Sequence, residues 1–276
     1  MKTKKKFIVC VSAIILTLSI NSFAGSMDMF NNEKGAIRIA GGTAHIPVMK
    51  EAAARIMTQN PDIHISIAGG GSGAGIKQAG EGLVDIGNSG RKATKKEITR
   101  FNLKMFKWAV DGVGIVVNPA NRVRTLSQVQ VAAIFRGDIT NWQKVGGYNK
   151  RINLYTRDNA SGTRAVFWKK ALKKGKIAAN ANFVVSNGAM KAAVSQDPYA
   201  IGYVSVGHID SSIAAVAFNG IQPVLANVQS GRYPIARGLY SNTKGRPTGL
   251  VKKFIDYLFT EEGQKIVTQK GFVPVK

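Results

Sequence analysis

Within eight residues, Arg157-Asp158-Asn159-Ala160-Ser161-Gly162-Thr163-Arg164 brings together guanidinium groups, two hydroxyls and a glycine. The segment follows an apolar strand pattern, Ile152 to Thr156, and opens a helical one, Ala165 to Leu172. Arg157 can offer a two-pronged fork to an oxyanion, and Gly162 lets the backbone approach closely. Ser161 and Thr163 place hydroxyls beside amides that a helix start leaves free, where the partial positive charge suits an anion. The same residues also read as an ordinary serine cap beside a surface arginine, and alone they do not separate the two.

Three earlier turns carry the same ingredients. Gly41-Gly42-Thr43-Ala44, Gly69-Gly70-Gly71-Ser72-Gly73 and Asn88-Ser89-Gly90-Arg91 each follow a strand pattern, at Ala36 to Ala40, His64 to Ala68 and Leu83 to Gly87. The first two lead into helical spacing, from Pro47 to about Gln59 and through Ile76 and Ala79. Strand, loop and helix repeated in this way predict an α/β fold with a mainly parallel sheet. Ligands of such sheets bind at the carboxyl ends of the strands, where these loops fall. None contains Gly-x-x-x-x-Gly-Lys-Ser/Thr, so a nucleotide P-loop is not supported. Four glycine-flanked hydroxyl turns favour an anion cradle over coincidental caps. Charge-assisted hydrogen bonds contribute ~1.5–3 kcal/mol each, so amides, hydroxyls and one arginine suffice without a metal or cofactor.

The remaining sequence sets the setting. Lys2 to Lys6, an uncharged run from Phe7 to Ile20, and Ser22-x-Ala24 have the form of a secretory signal peptide over residues 1–24. The uncharged run is shorter than the roughly 20 residues of a membrane span, so no membrane insertion is expected. The single cysteine, Cys10, lies inside it, leaving the exported part without a disulfide or thiolate metal site. Loss of Lys2, Lys4, Lys5 and Lys6 lowers the formal charge from +24 to +20. Such a field raises local anion concentration. The basic residues are scattered over helices rather than gathered in an aromatic-interleaved stripe, so nucleic acid is not the expected partner.

After Trp108 to Val117, a second set of elements runs through a helical pattern at Leu126 to Phe135, a helix from Asn187 and a strand at Ile201 to Val206. Amphipathic helices at Thr248 to Phe259 and about Glu261 to Lys270 close the chain. Thr94 and Glu97 form a capping-box pattern. His45, His64 and His208 have no paired spacing and read as packing or surface residues rather than metal ligands. Trp108, Trp142 and Trp168 read as core anchors. Ser161 lacks a Gly-x-Ser-x-Gly setting and a base placed by sequence, so an enzyme is not expected.

In order and spacing, several segments together resemble the periplasmic phosphate-binding proteins of ABC transporters. They are Gly41-Gly42-Thr43 with Pro47, Gly71-Ser72-Gly73, Asp85 to Ser89, Ile134 to Trp142, Arg157 to Thr163, Ala200 to Tyr203, Tyr233 to Arg237, Glu262 to Gln264 and Gly271 to Pro274. The resemblance implies a two-lobed periplasmic-binding-protein fold, each lobe a mainly parallel sheet flanked by helices. Crossing strands are expected near Trp108 to Gly114 and between Ala217 and Tyr233. The expected division is 25–110 for the first part of lobe I, 111–221 for lobe II and 222–276 for the return to lobe I.

By position, Thr43, the Ala44 amide and Ser72 match ligand contacts of the first lobe, with Gly42 beside them. Arg157, Ser161, the Gly162 amide and Thr163 match those of the second. One loop departs from the family. Many members carry Asp directly after the serine of the third loop, to accept the proton of hydrogen phosphate, where this chain has Gly90 and then Arg91. Either discrimination against sulfate is altered, or another acceptor such as Ser89 or a backbone carbonyl takes over with Arg91 near the anion. Asn159 stands where the family has an acid two residues after the arginine, with Asp158 as the neighbouring carboxylate. The implied function is an exported, periplasmic and monomeric solute-binding protein that passes inorganic phosphate to ABC permease subunits. The alternatives are another oxyanion (sulfate, molybdate, a phosphonate) or electrostatic binding of a polyanion.

Overall fold

A computed structural model describes residues 25–275, so the signal-peptide expectation at 1–24, with Cys10, lies outside the described residues. The strands are β1 Gly35–Gly41, β2 Ile63–Gly70, β3 Ile86–Ser89, β4 Leu103–Val117, β5 Thr125–Leu126, β6 Asn153–Arg157, β7 Asn182–Val184, β8 Ala200–Ser205, β9 Ala214–Phe218, β10 Ala236–Lys244 and β11 Val273–Pro274. The helices are α1 Ile46–Gln59, α2 Gly71–Glu81, α3 Lys95–Phe101, α4 Gln128–Arg136, α5 Gly162–Lys170, α6 Asn187–Gln196, α7 Leu225–Gln229, α8 Gly249–Phe259 and α9 Glu261–Gln269. Among the described residues, no helix is long and apolar enough to cross a membrane.

Local chemistry sets the helix bounds. Pro47 sits in the first turn of α1, where its missing N–H costs nothing, and Asn60 ends the helix in extended geometry. The Thr94/Glu97 capping box opens α3, and Ser127 with Gln130 forms a second box at α4. Gly137 ends α4 in the left-handed region at φ 90°.

The strands follow the order β2-β1-β3-β10-β4-β8-β6-β7. The outer pairs are parallel, β1 with β2 and β3, and β6 with β7 and β8. The centre is not: β10 runs antiparallel to β3 and β4, and β4 runs antiparallel to β8 and β9. The chain therefore departs from an all-parallel sheet where long strands pass between two cores. Trp108 and Ala109 of β4 pack with Ile37, Val48, Phe254 and Phe272. Val113, Ile115 and Val117, farther along the same strand, pack with Phe135, Phe167, Tyr203 and Tyr233. β4 thus passes from one core to the other. Val228, Tyr233 and Ile235 still belong to the second core while Leu239 belongs to the first, so the return runs through β10. Before it, Val228, Tyr233 and Ile235 bury their apolar side chains in the second core.

Helix α2 lies directly on the sheet because small residues face one another. A Cβ added at Gly87 of β3 would overlap the Gly75 carbonyl of α2 and stand 2.7 Å from Ala79 Cβ. This contact fixes where the N-terminus of α2, and with it Ser72, is presented. Gly87→Ala should lower stability by about 1–3 kcal/mol, as overpacking does. The expected readout is a fall in Tm of roughly 2–4 °C per kcal/mol, and an unchanged melt would show that the packing is looser than the structure indicates.

Candidate functional site

Four loop-to-helix junctions meet between the two cores. The turn after β1 carries Gly42, Thr43 and Ala44 into α1, and Gly70 and Gly71, at φ 124° and 83°, turn β2 into α2 just before Ser72. From the other side, β6 ends at Arg157, and Ser161 caps α5 by accepting from the Arg164 amide at 3.1 Å. β7 leads to α6, which begins at Asn187. Three of these junctions, with Gly90 and Arg237, line a cavity of about 180 Å³. A roomier depression of about 440 Å³ lined by Ile134, Arg151 and Asn182 lies elsewhere, but its one charged side chain, Arg151, is exposed. Converging donors, not volume, distinguish the smaller cavity.

Arg157 is the centre of it. Its side chain is buried with 1% exposure, and Nη2 donates to the Val185 carbonyl at 2.9 Å. Nε and Nη1 have no protein partner, and no carboxylate pairs with the guanidinium among the described residues. Burial pulls its pKa below the ordinary arginine value. A charge desolvated without an acceptor is costly, and an anion in the adjoining cavity is the group that would complete it.

The hydroxyls are arranged as donors. Thr43 Oγ1 accepts from the Asn187 amide at 3.2 Å and from Asn187 Nδ2 at 3.0 Å, which occupies both lone pairs. Ser72 Oγ accepts from the Gly90 amide at 2.8 Å, and Thr163 Oγ1 accepts from Arg237 Nη2 at 3.0 Å. Each hydroxyl proton is therefore left to point elsewhere. The amides of Thr43, Ala44, Gly162 and Thr163 have no protein acceptor among the described residues. These amides sit at the positive ends of α1 and α5.

Direct contacts span the cleft. The Gly73 amide donates to the Ala160 carbonyl at 3.0 Å, and His208 Nε2 lies 3.2 Å from the Thr43 carbonyl oxygen. A side chain at Gly162 would overlap Ser72 Oγ, so that glycine is required by the close approach of α2 and α5.

The structure thus gathers Gly42, Thr43, Ala44, Ser72, Arg157, Ser161, Gly162 and Thr163 around one cavity. It does not bring Ser89 or Arg91 there. The buried Ser89 hydroxyl donates to the Arg91 carbonyl at 2.9 Å and accepts from Asn242 Nδ2 at 3.0 Å. Arg91 turns outward into a two-pronged pair with Glu97 at 2.7 and 2.8 Å, because Glu97 already serves the α3 capping box beside it. That guanidinium holds the Glu97 carboxyl down at about 2. Asp158, exposed, accepts from the Ser161 amide at 2.9 Å and shapes the turn from outside the cavity.

Six residues in or supporting the cavity were not singled out from the sequence as site residues. Arg237 of β10 lines the cavity, and Nε and Nη2 both donate to Asp111 Oδ2, at 3.0 and 2.9 Å. Ser205 donates to the other Asp111 oxygen at 2.9 Å. Burial raises the Asp111 carboxyl above its ordinary value, opposed by the Arg237 charge. Asn187 and His208 grip Thr43 from the second core. His45 caps α1 with its ring against Trp108, Nδ1 at 3.0 Å from the Gly42 carbonyl, and the Ser89 and Tyr240 carbonyls close by. The only available signal was the Tyr233-to-Arg237 segment, which fitted the family pattern without marking Arg237 as a contact.

Comparison with known proteins agrees with this architecture. Residues 31–262 match the PBP superfamily domain. The Phosphate-binding protein PstS of Bacillus subtilis is 36% identical, covering 99% of this chain and 95% of that one. The protein of the same name from Borreliella burgdorferi is 30% identical over 89% of this chain and 92% of its own. A crystal structure described as a phosphate ABC transporter substrate-binding protein from Clostridium perfringens, with bound phosphate, superposes with a TM-score of 0.83. It is 33% identical and matches 88% of this chain and 100% of its own. With two cores joined by crossing strands, helix ends meeting between them and these relatives along nearly its full length, the chain belongs to the PBP superfamily and, within it, to the family of the PstS proteins.

Proposed function

We propose that this protein is an exported solute-binding protein that captures inorganic phosphate between its two lobes and delivers it to an ABC-type importer. The observation that carries this is Arg157: a buried guanidinium with two unpartnered nitrogens, facing a cavity lined by hydroxyl protons and free helix-end amides. Phosphate offers four oxygens to such a donor set and needs no metal or cofactor. The named relatives, two called phosphate-binding and one solved with phosphate bound, support the choice of anion. The site holds and releases its ligand without a reaction, since neither Ser161 nor Ser72 has a histidine or carboxylate hydrogen-bonded to its hydroxyl. The +20 charge expected after export would speed anion capture at low salt.

The two lobes meet on the ligand. Thr43 is the point where this coupling is densest, because Asn187 and His208 reach it from the opposite lobe. Closure of the hinge therefore sets the Thr43 hydroxyl in the orientation that donates to the anion.

Isothermal titration of the exported chain with phosphate tests the reading: one saturable site per chain is expected, and no heat with no thermal shift would contradict it. Arg157→Gln should weaken phosphate binding by at least about 100-fold, because charge-assisted bonds to both free nitrogens are lost. Wild-type affinity in that variant would exclude the cavity as the site. Asn187→Ala should weaken binding by roughly 5–30-fold, the equivalent of one or two hydrogen bonds, while leaving Arg157 in place. An unaltered affinity would separate Thr43 orientation from binding.

Acid should destabilise the closed form through its histidines. Burial holds His208 down at about 4 and His45 at about 3, against 6.5 for the free side chain. Below pH 6.5 the unfolded chain takes up protons that these rings refuse, so stability present above that pH is lost as pH falls toward 4. Denaturant titrations between pH 7 and 4 should show this decline, with a smaller slope for His208→Asn. An equal slope in that variant would exclude His208 as a contributor.

A further inference from the structure

Gly90 occupies the position where many family members carry a proton-accepting Asp. A Cβ there would lie 2.5 Å from Arg237 Nη1 and 2.8 Å from its guanidinium carbon. The space that a side chain at 90 would enter is filled by a guanidinium, so an acidic acceptor is replaced by a cationic donor. Asp111, itself buried, holds that guanidinium through Nε and Nη2, and Nη1 is left with only a long 3.4 Å contact to the Gly90 carbonyl. Arg237 lines the same cavity as Arg157, and no carboxylate lines it. Asp111 is spent on Arg237 and Ser205, and Asp158 on the Ser161 amide. His45 donates from Nδ1 to the Gly42 carbonyl, and its buried Nε2, without a protein partner, is a neutral acceptor rather than a charged one.

Resting on the oxyanion reading of this cavity, we infer that Arg237 is a second arginine that reads the ligand, and that Gly90 and Asp111 exist in this site to place it. The resulting cavity is lined by two guanidiniums and no carboxylate and accepts fully ionised tetrahedral dianions, sulfate alongside phosphate. A carboxylate in the cavity rejects sulfate because two acceptors face each other without a proton between them. Here that repulsion is absent, and the second guanidinium adds an attraction that does not depend on a ligand proton.

The test is competitive isothermal titration of phosphate and sulfate on the exported chain, with three proteins. For the wild type, sulfate should displace phosphate with a Kd within about 100-fold of that for phosphate. Sulfate weaker than this, with phosphate still bound, would overturn the inference and leave the oxyanion reading intact, whereas binding of neither anion would overturn both. Gly90→Asp places a carboxylate against Arg237 and should raise the phosphate-to-sulfate preference by at least about tenfold, and an unchanged preference would count against the inference. Arg237→Gln alone would strand the Asp111 carboxylate. Arg237→Gln is therefore combined with Asp111→Asn, which leaves two neutral amides, and folding is checked by thermal melting. This variant should bind sulfate at least about tenfold more weakly, and full retention of sulfate affinity in a folded protein would show that Arg237 only braces β10 and β4.

Discussion

A guanidinium taken out of water has to be met by acceptors, and Arg157 meets only the Val185 carbonyl from the protein itself. Every other feature of the cleft can be understood from that imbalance. The surrounding hydroxyls do not relieve it, because Thr43, Ser72, Ser161 and Thr163 already accept from Asn187, Gly90, Arg164 and Arg237. The nearest helix ends add further donors. In a low-dielectric setting such a concentration of unanswered donors is unfavourable for the free protein and favourable for an anion that enters it. The same arrangement explains why α1 and α5 begin at one place: the amides of Thr43, Ala44, Gly162 and Thr163 at their starts are left open by the fold for use by a ligand.

Holding this arrangement requires close backbone approach, which the small residues supply. Gly162 allows α5 to reach Ser72, and Gly75 and Gly87 let α2 lie on β3. The first contact joins the two lobes and the second holds Ser72 in place within the first, so the cavity is complete only when the lobes meet. Thr43 shows the consequence most clearly. Its hydroxyl belongs to the first lobe and its orientation to Asn187 of the second, so affinity and closure are one equilibrium viewed from two sides.

Local signals made much of this visible in the sequence. The Arg157-to-Thr163 turn, the caps at Thr94 and Ser161, and the strand-loop-helix order are all written in residues adjacent along the chain. Other features depend on pairing between distant segments. Asp111, mid-strand in β4, and Arg237, at the start of β10, are separated by 126 residues, in runs that read as ordinary crossing strands. Their meeting follows from the antiparallel register of β10 and β4, which no local pattern specifies. Arg91 turns away from the cavity for the opposite reason: a capping glutamate three residues into α3 is its close partner. Burial of Val228, Tyr233 and Ile235 in the second core, before β10 leads back to the first, is likewise a tertiary choice.

The central claim is that Arg157 and the helix-end amides hold a tetrahedral anion, and crystallography of the protein grown with phosphate tests it most directly. A tetrahedral density is expected between the lobes, within hydrogen-bond distance of Arg157 Nε or Nη1 and of the Gly162 and Thr163 amides. Phosphate bound elsewhere, with the Arg157 guanidinium still unpartnered, would contradict it.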